Sequence, residues 1–250
     1  MRSRPGQPLL VETIRPWAVR LVACCALLVV VLGVLFAHQS HADWLDHAID
    51  SWVVHWLNGH HDLLLWLATP ATFIPAGGVS LIMVVACLLT GRLNGAVLAA
   101  AAVPTTAALN DAVIKPLVHR TIYGNPAYPS GHVASILAVT AMLAVLLVLP
   151  PQLPVARPVG LLVLIVAGVL ACGVAIAVIG LQWHYFTDTV GGAAVGTGTV
   201  CALALILDLP AVSRRLEPAS GSLLSRARPS AQPSDAHAVV RPGRPKVRCG

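Results

Sequence analysis

Long apolar runs separated by short polar stretches dominate the pattern of this chain. A transmembrane helix needs about 20 consecutive apolar residues. Six segments approach that length: 17–37, 74–91, 93–114, 131–150, 158–181 and 186–208. The first is longer than the apolar part of a signal peptide, about 7–15 residues, and no small-residue cleavage site follows it. The pattern therefore predicts an all-α membrane protein, a bundle of six transmembrane helices.

Two stretches before the second span depart from this pattern. Residues 38–61 are polar, and they set three aspartates among three tryptophans: Asp43, Asp46, Asp50, Trp44, Trp52 and Trp56. Tryptophan on a half-apolar segment is typical of the membrane–water interface, so we expect an interfacial helix after the first span. Pro70 and Pro75 interrupt the next apolar stretch, and residues 62–73 are therefore a candidate separate interfacial or re-entrant piece.

The pattern divides the chain into three regions. Residues 1–16 form a cytoplasmic N-terminal segment, and residues 17–208 form the six-span membrane domain. Residues 209–250 are rich in Pro, Ser, Ala and Arg without a sustained apolar period. Such a composition buries too little apolar surface to fold, so we expect a disordered basic cytoplasmic tail.

Composition excludes an ordinary soluble domain. The 250 residues are 57% hydrophobic and 10% charged, whereas soluble domains carry about 25% charged residues. Six cysteines lie at spacings typical of neither a disulfide framework nor a zinc site. We interpret them as small apolar side chains.

The distribution of basic residues predicts an orientation. With the N-terminus inside, 14 of the 16 Lys and Arg residues fall on the cytoplasmic side, which supports N-in and C-in in the cell membrane. The formal net charge of +6 then reflects topology and an anionic inner leaflet, and nucleic acid is not an expected partner. The two external cations are Lys115 and Arg120. Lys115 alone could be a snorkelling residue at a helix end, but with Arg120 it indicates an anion site.

The tetrapeptide Pro129-Ser130-Gly131-His132 stands where the fourth span begins. Ser is a good N-cap, and Gly allows close backbone approach. Unpaired N–H groups at a helix start bind phosphate well. The alternative interpretation is a capped turn with an interfacial histidine.

His184 and Asp188 are four residues apart at the start of the sixth span. On a helix this spacing puts both on one face, so the carboxylate could accept a hydrogen bond from one ring nitrogen and leave the other nucleophilic. An interfacial histidine beside a solvated aspartate is the alternative. Ionisable groups this close to a membrane are costly, which favours a function.

Topology assigns all the candidate residues to the external face: Lys115, Arg120, Ser130, His132, His184 and Asp188. Cations, a helix N-terminus and two histidines together suit phosphoryl transfer, in which one histidine attacks phosphorus and the other protonates the leaving oxygen. Cations and backbone dipoles can hold the charge of the transferring group. We therefore expect no metal and no other cofactor.

With these motifs, residues 60–205 resemble the type-2 phosphatidic acid phosphatase superfamily of membrane lipid phosphatases. The family pattern is a Lys-containing segment ending in Arg-Pro, then Pro-Ser-Gly-His, then Ser-Arg followed by His and Asp. The resemblance implies that His184 forms a phosphohistidine, that Asp188 orients it, and that His132 is the general acid. It also implies phosphate binding by Lys115, Arg120, Ser130 and Gly131.

Two motif arginines are absent from this chain. The Arg-Pro positions hold Ile122 and Tyr123, and the Ser-Arg positions hold Ala177 and Val178. We expect Arg120 to replace one of the missing arginines. Candidate donors nearby are Asn125, Gln182, Trp183 and His119, although a structural role is the favoured interpretation of each.

The sequence therefore predicts an integral membrane phosphatase that hydrolyses a polyprenyl or glycerolipid phosphate or pyrophosphate at the outer face. The missing arginines leave open a weak or inactive relative that binds phospholipid headgroups or serves as a scaffold. A third hypothesis is a metal-linked role for the histidine-rich segment 38–61. The preferred lipid, the choice between mono- and diphosphate, and the oligomeric state stay open.

Overall fold

The architecture was analysed in a computed structural model that describes residues 8–149, 152–210 and 212. Nine α-helices lie in the described part of the chain: α1 Arg15–Leu35, α2 Trp44–Leu57, α3 His61–Ala68, α4 Phe73–Leu89, α5 Leu93–Ala108, α6 Lys115–Val118, α7 Gly131–Leu147, α8 Arg157–Gly180 and α9 Phe186–Leu207. A 3-10 turn, Thr69–Ala71, joins α3 to α4, and a π-helical turn, Leu109–Ile114, joins α5 to α6. The all-α class predicted from the sequence is confirmed.

Five helical stretches of the described chain are long and apolar enough to cross a membrane: Arg15–Leu35, His61–Leu89, Leu93–Val118, Arg157–Gly180 and Phe186–Leu207. The predicted span 74–91 is thus the second half of a longer helical stretch. The 3-10 turn that contains Pro70 connects α3 directly to α4 instead of ending the helical stretch. The apolar helix Gly131–Leu147 has 17 residues and is shorter. Six spans therefore remain a prediction.

The polar stretch 38–61 contains α2, which begins at Trp44. Asp43 caps it, since its carboxylate accepts a hydrogen bond from the N–H of Asp46 at 2.8 Å. An uncapped N–H would cost about 1 kcal/mol. A helix was expected here, and its position at the membrane interface remains a prediction.

Helix α9 is the centre of the bundle. It packs against α1 and α7, and α7 also contacts α5 and α8. Two glycines one turn apart allow the close contact with α7. A Cβ atom on Gly192 would lie 2.4 Å from the carbonyl oxygen of Ser130, and one on Gly196 would lie 2.2 Å from that of Ala134. Glycine is therefore required where these two backbones meet.

The two ends of α9 face different surroundings. At its C-terminus the carboxylate of Asp208 accepts hydrogen bonds from the backbone N–H groups of Leu9 and Leu10, at 2.7 and 2.8 Å. The N-terminal segment is thereby tied to the end of the bundle opposite Asp188. The predicted disordered tail lies almost entirely outside the described residues.

A two-residue hairpin follows α6. Strand β1, Thr121–Ile122, pairs antiparallel with strand β2, Asn125–Pro126. The turn requires φ of 48° at Tyr123 and 81° at Gly124. This hairpin lies beside the start of α9 and carries the backbone that contacts His184.

Candidate active site

The two motif histidines share one cavity. His132 lies in the first turn of α7, and His184 lies just before α9. Their ring centroids are 6.4 Å apart. Both line a cavity of about 570 Å³ together with Lys115 and Gly131. The structure therefore brings together four of the residues that the sequence analysis singled out.

The start of α7 forms one wall of this cavity. The Ser130 side chain accepts a hydrogen bond from the N–H of Val133 at 3.4 Å, so Ser130 is the N-cap. Ser130 is fully buried. Its hydroxyl was expected to bind phosphate, but it caps the helix and does not line the cavity. Gly131, by contrast, presents backbone at the cavity surface.

Lys115 stands next to this helix start. A Cβ atom on Gly131 would lie 3.8 Å from the Lys115 ammonium. The ammonium is already paired, because Nζ lies 2.8 Å from Oδ1 of Asp111. The π-helical turn holds these two residues on one face, as such turns often do at functional sites. Asp111 also lines the cavity, so its wall carries one cation and one neighbouring anion.

His184 is oriented by a backbone carbonyl. Its Nδ1 lies 2.8 Å from the carbonyl oxygen of Ala127, at the end of the hairpin. The expected hydrogen bond to Asp188 is absent from this structure, since Nδ1 and Oδ2 of Asp188 are 3.9 Å apart. The reason is that His184 precedes the helix instead of lying on its face. The Ala127 contact indicates a proton on Nδ1, which leaves Nε2 unprotonated.

Burial also favours the neutral form of His184. The side chain is 8% exposed, and desolvation lowers the pKa of His184 to about 3. The imidazole is then an uncharged base and a nucleophile across the physiological pH range.

Asp188 has structural partners at the start of α9. Its Oδ2 accepts the N–H of Tyr185 at 2.9 Å, which caps the helix, and its Oδ1 accepts from Arg120 at 2.6 Å. Its own carbonyl oxygen accepts the N–H of Ser130 at 3.0 Å. Asp188 therefore joins the two motif segments, although it does not contact the ring of His184 through a hydrogen bond.

Arg120 requires a correction. The sequence analysis assigned it to phosphate binding, but its side chain has no exposed surface and does not line the cavity. Its guanidinium forms ion pairs with Asp188 and Asp46 and donates to the hydroxyl of Thr187 at 2.6 Å. It also stacks between two aromatic rings, those of Phe36 and Tyr185, at 4.2 and 4.4 Å. Both terminal nitrogens of this cation therefore have partners, whereas its Nε is buried without a hydrogen-bond acceptor.

The two positions at which the family pattern has arginine lie in different surroundings in this structure. Ile122 lines the cavity, whereas Val178 is fully buried in an apolar cluster behind it. Three candidate donors named from the sequence, Asn125, Gln182 and Trp183, do line the cavity. His119 does not; its ring stacks on His38 with centroids 5.4 Å apart.

Sequence reasoning missed four residues that shape the site: Asp46, Asn110, Asp111 and Ala127. Asp111 could have been found, because it lies one helical turn before Lys115. Ala127 carries no side-chain signal, since it acts through its carbonyl oxygen. Asp46 lies 74 positions from Arg120 in the sequence, so only the folded chain reveals their ion pair.

No group of three or more His, Cys, Asp or Glu side chains that could hold a metal ion occurs within the described residues. The metal-linked hypothesis for segment 38–61 therefore gains no support from the arrangement of its histidines there. The expectation that the chemistry needs no metal remains a prediction.

The chain was compared with known proteins in three ways. The family model described as the PAP2 superfamily matches residues 23–209, which include all the motif residues. The comparisons with curated proteins and with solved structures gave no match.

Proposed function

The chain belongs to the PAP2 superfamily, and from that premise we propose that it is an integral membrane phosphatase that hydrolyses a lipid phosphate through His184. Membership and the long apolar helices support a phosphatase of the membrane at the coarse level. The observation that carries the finer proposal is the pairing of His132 and His184 in one cavity beside the start of α7.

The proposed reaction has two steps. In the first, Nε2 of His184 attacks phosphorus, an N–P bond forms, and the P–O bond to the lipid alcohol breaks. His132 gives its proton to the departing oxygen. In the second, water attacks phosphorus, His132 takes a proton from that water, and the N–P bond breaks. His184 returns to its neutral form.

The start of α7 and the Lys115 ammonium stabilise the negative charge that develops in the transition state. The first turn of α7, through Gly131, and Lys115 line the same cavity as the two histidine rings. Such preoriented donors lower the barrier where charge develops. Asn125, Gln182 and the Trp183 indole are further donors on the same wall.

We propose that Asp188, Arg120 and Ser130 act as positioning residues. Asp188 caps α9 and accepts the Ser130 N–H, and Arg120 anchors Asp188. These contacts set the distance between the segment that carries His132 and the segment that carries His184. None of the three side chains is proposed to touch the substrate.

The alternative is a relative that binds a phospholipid headgroup without turnover. The Lys115–Asp111 ion pair favours it, because that aspartate neutralises the one cationic side chain among the described cavity residues. Retention of both histidines favours the enzyme.

A phosphate-release assay with purified protein distinguishes the two functions. The proposal expects release of inorganic phosphate from a lipid phosphomonoester. His184→Ala should abolish release, and His132→Ala should reduce it by about 10²–10⁴-fold, the usual contribution of a general acid. His61→Ala, an exposed histidine outside the cavity, is the control and should retain full activity. Binding of the lipid without any release would establish the alternative.

A further inference from the structure

A second cavity adjoins the first on the side of α2. It has a volume of about 490 Å³. Four residues line both cavities: Ile122, Tyr123, Gln182 and His184. His184 is thus the only one of the two motif histidines that contacts both spaces. The first cavity also has an apolar side, formed by α4 and α5 through Phe73, Val103 and Ala107.

A hydrogen-bonded pair forms part of the shared wall. The Tyr123 hydroxyl donates to Oε1 of Gln182 at 3.2 Å, which joins the hairpin to the loop before α9. Both residues have positive φ, 48° and 57°, although neither is glycine. Such backbone is costly for residues other than glycine and is concentrated at functional sites. This pair lies at the boundary between the two cavities, beside His184.

The wall of the second cavity is largely apolar, and its polar groups are concentrated on α2. Helix α2 contributes four hydrogen-bonding side chains from one face: His47, Asp50, Ser51 and His55. No lysine or arginine occurs among the described residues that line it. Hydroxyl, imidazole, carboxyl and amide groups around an aromatic side chain are suited to a neutral hydroxyl-bearing group. An anionic group would lack a cation there and would meet Asp50.

Asp50 is one of the groups in the second cavity that can hydrogen-bond a hydroxyl. Its Oδ1 accepts the N–H of Phe186 at 3.1 Å. Burial, and then the neighbouring Asp46 carboxylate, raise the pKa of Asp50 to about 7. A half-protonated carboxyl group both donates and accepts hydrogen bonds, as a substrate hydroxyl requires.

The first cavity offers limited positive charge to a phosphoryl group. Lys115 is neutralised by Asp111 at 2.8 Å, and Arg120 is buried away from the cavity. A phosphomonoester carries up to two negative charges near neutral pH, whereas a phosphodiester carries one. The charge of the site therefore fits the diester better.

Resting on the proposed function, we propose that the site also takes a lipid phosphodiester whose second substituent is a small polyol. The lipid alcohol occupies the first cavity beside His132, the phosphoryl group lies at His184, and the polyol occupies the second cavity.

His184 and His132, the same two residues, carry out cleavage of the diester. The N–P bond to His184 forms as the P–O bond to the lipid alcohol breaks, and His132 protonates that alcohol. The polyol stays esterified to phosphorus on His184. Water then attacks phosphorus, its proton passes to His132, and the N–P bond breaks. The products are the free lipid alcohol and a polyol phosphate.

The test uses two substrates with identical acyl chains in detergent micelles. Phosphatidylglycerol is the diester, and phosphatidic acid is the monoester. Released diacylglycerol is measured for both, with glycerol phosphate and inorganic phosphate as the respective second products. The proposal expects diacylglycerol and glycerol phosphate from the diester, and His184→Ala should abolish both.

Variants of the second cavity provide the decisive comparison. His47 and His55 are exposed side chains of α2 that line it. The double variant His47→Ala/His55→Ala should lower kcat/KM for the diester about tenfold, equivalent to about 1.4 kcal/mol, with less than about twofold change for the monoester. His61→Ala should change neither.

Three outcomes overturn the proposal. Turnover of phosphatidic acid without turnover of phosphatidylglycerol rejects the diester and leaves the phosphatase function intact. An equal loss on both substrates in the double variant rejects the second cavity as the polyol site. No turnover of either lipid rejects the proposed function along with this inference.

Discussion

Arg120 shows how the partners of a residue decide its role. A free arginine in this loop would be a natural phosphate ligand. In the folded chain its guanidinium is enclosed by Asp46, Asp188 and two aromatic rings. Its own carbonyl oxygen accepts the N–H of Ala127 at 2.8 Å. Since the Ala127 carbonyl contacts His184, Arg120 supports the position of the histidine from two directions.

We expect Arg120→Met to destabilise the protein. Removing the cation leaves the buried carboxylates of Asp46 and Asp188 without their counter-ion, and breaking a buried pair costs about 3–5 kcal/mol. Thermal unfolding in detergent measures the loss. Adding Asp46→Asn to the same chain should restore part of the stability, because one uncompensated charge is removed.

Arg157→Met serves as the control, since Arg157 is exposed at the start of α8. Its unfolding temperature should match that of the unaltered protein. If Arg120→Met also unfolds at that temperature, the ion-pair network does not stabilise the fold.

At the scale of elements, the contact between α7 and α9 is what brings the two motifs together. Gly192 and Gly196 bring the backbones into contact, and the N–H of Ser130 reaches the carbonyl oxygen of Asp188. The positions of His132 and His184 therefore depend on glycines that carry no chemistry. Both helices were predicted as spans, but the hydropathy pattern does not reveal how closely they pack.

Gly196→Ala tests this contact. The new Cβ would lie 2.2 Å from a backbone oxygen that cannot move without shifting α7. We expect a loss of about 1–3 kcal/mol in the free energy of unfolding, as for other overpacked sites, together with reduced turnover.

Gly168→Ala is the matched control for that variant. Gly168 lies in α8, and a Cβ atom there meets nothing within 4 Å. The alanine should leave stability unchanged or raise it slightly, because alanine is the better helix former. Equal behaviour of the two variants would contradict the close-packing argument.

At the scale of the whole molecule, the described part of the chain places its N-terminal segment and the candidate site at opposite ends of α9. The N-terminal segment contacts Asp208 at one end of α9, and the candidate site surrounds the other end. Twenty-two helical residues span about 33 Å, close to the thickness of a bilayer core. The arrangement agrees with the proposal that both termini are cytoplasmic and that the site faces outward.

Cysteine labelling in intact cells tests this orientation. Tyr123→Cys, in a chain whose six native cysteines are replaced, should react with a membrane-impermeant maleimide. Tyr123 is exposed at the hairpin tip. Pro154→Cys, in the loop before α8, should react only after the cells are permeabilised. The reverse pattern would place the site in the cytoplasm.

The helices were predictable because hydropathy is a local property. Each predicted apolar segment overlaps a helix, and the ends of α8 and α9 differ from the predicted bounds by one residue or less. The largest difference is at the second span, where the two prolines that suggested a break lie within a longer helical stretch, Pro70 in the 3-10 turn and Pro75 in the first turn of α4. Proline is tolerated in such a first turn, because its missing N–H is not needed there.

The sequence alone determined the all-α class and the family, and it contains the residues that we propose carry the chemistry, Lys115, His132 and His184. Their residue types and short spacings can be read directly from the sequence. Only the tertiary structure decided that Ala127 orients His184, that Asp111 neutralises Lys115, and that Arg120 is buried. Hydrogen bonds and ion pairs depend on distances of about 3 Å, and these distances arise only when segments far apart in the chain pack together.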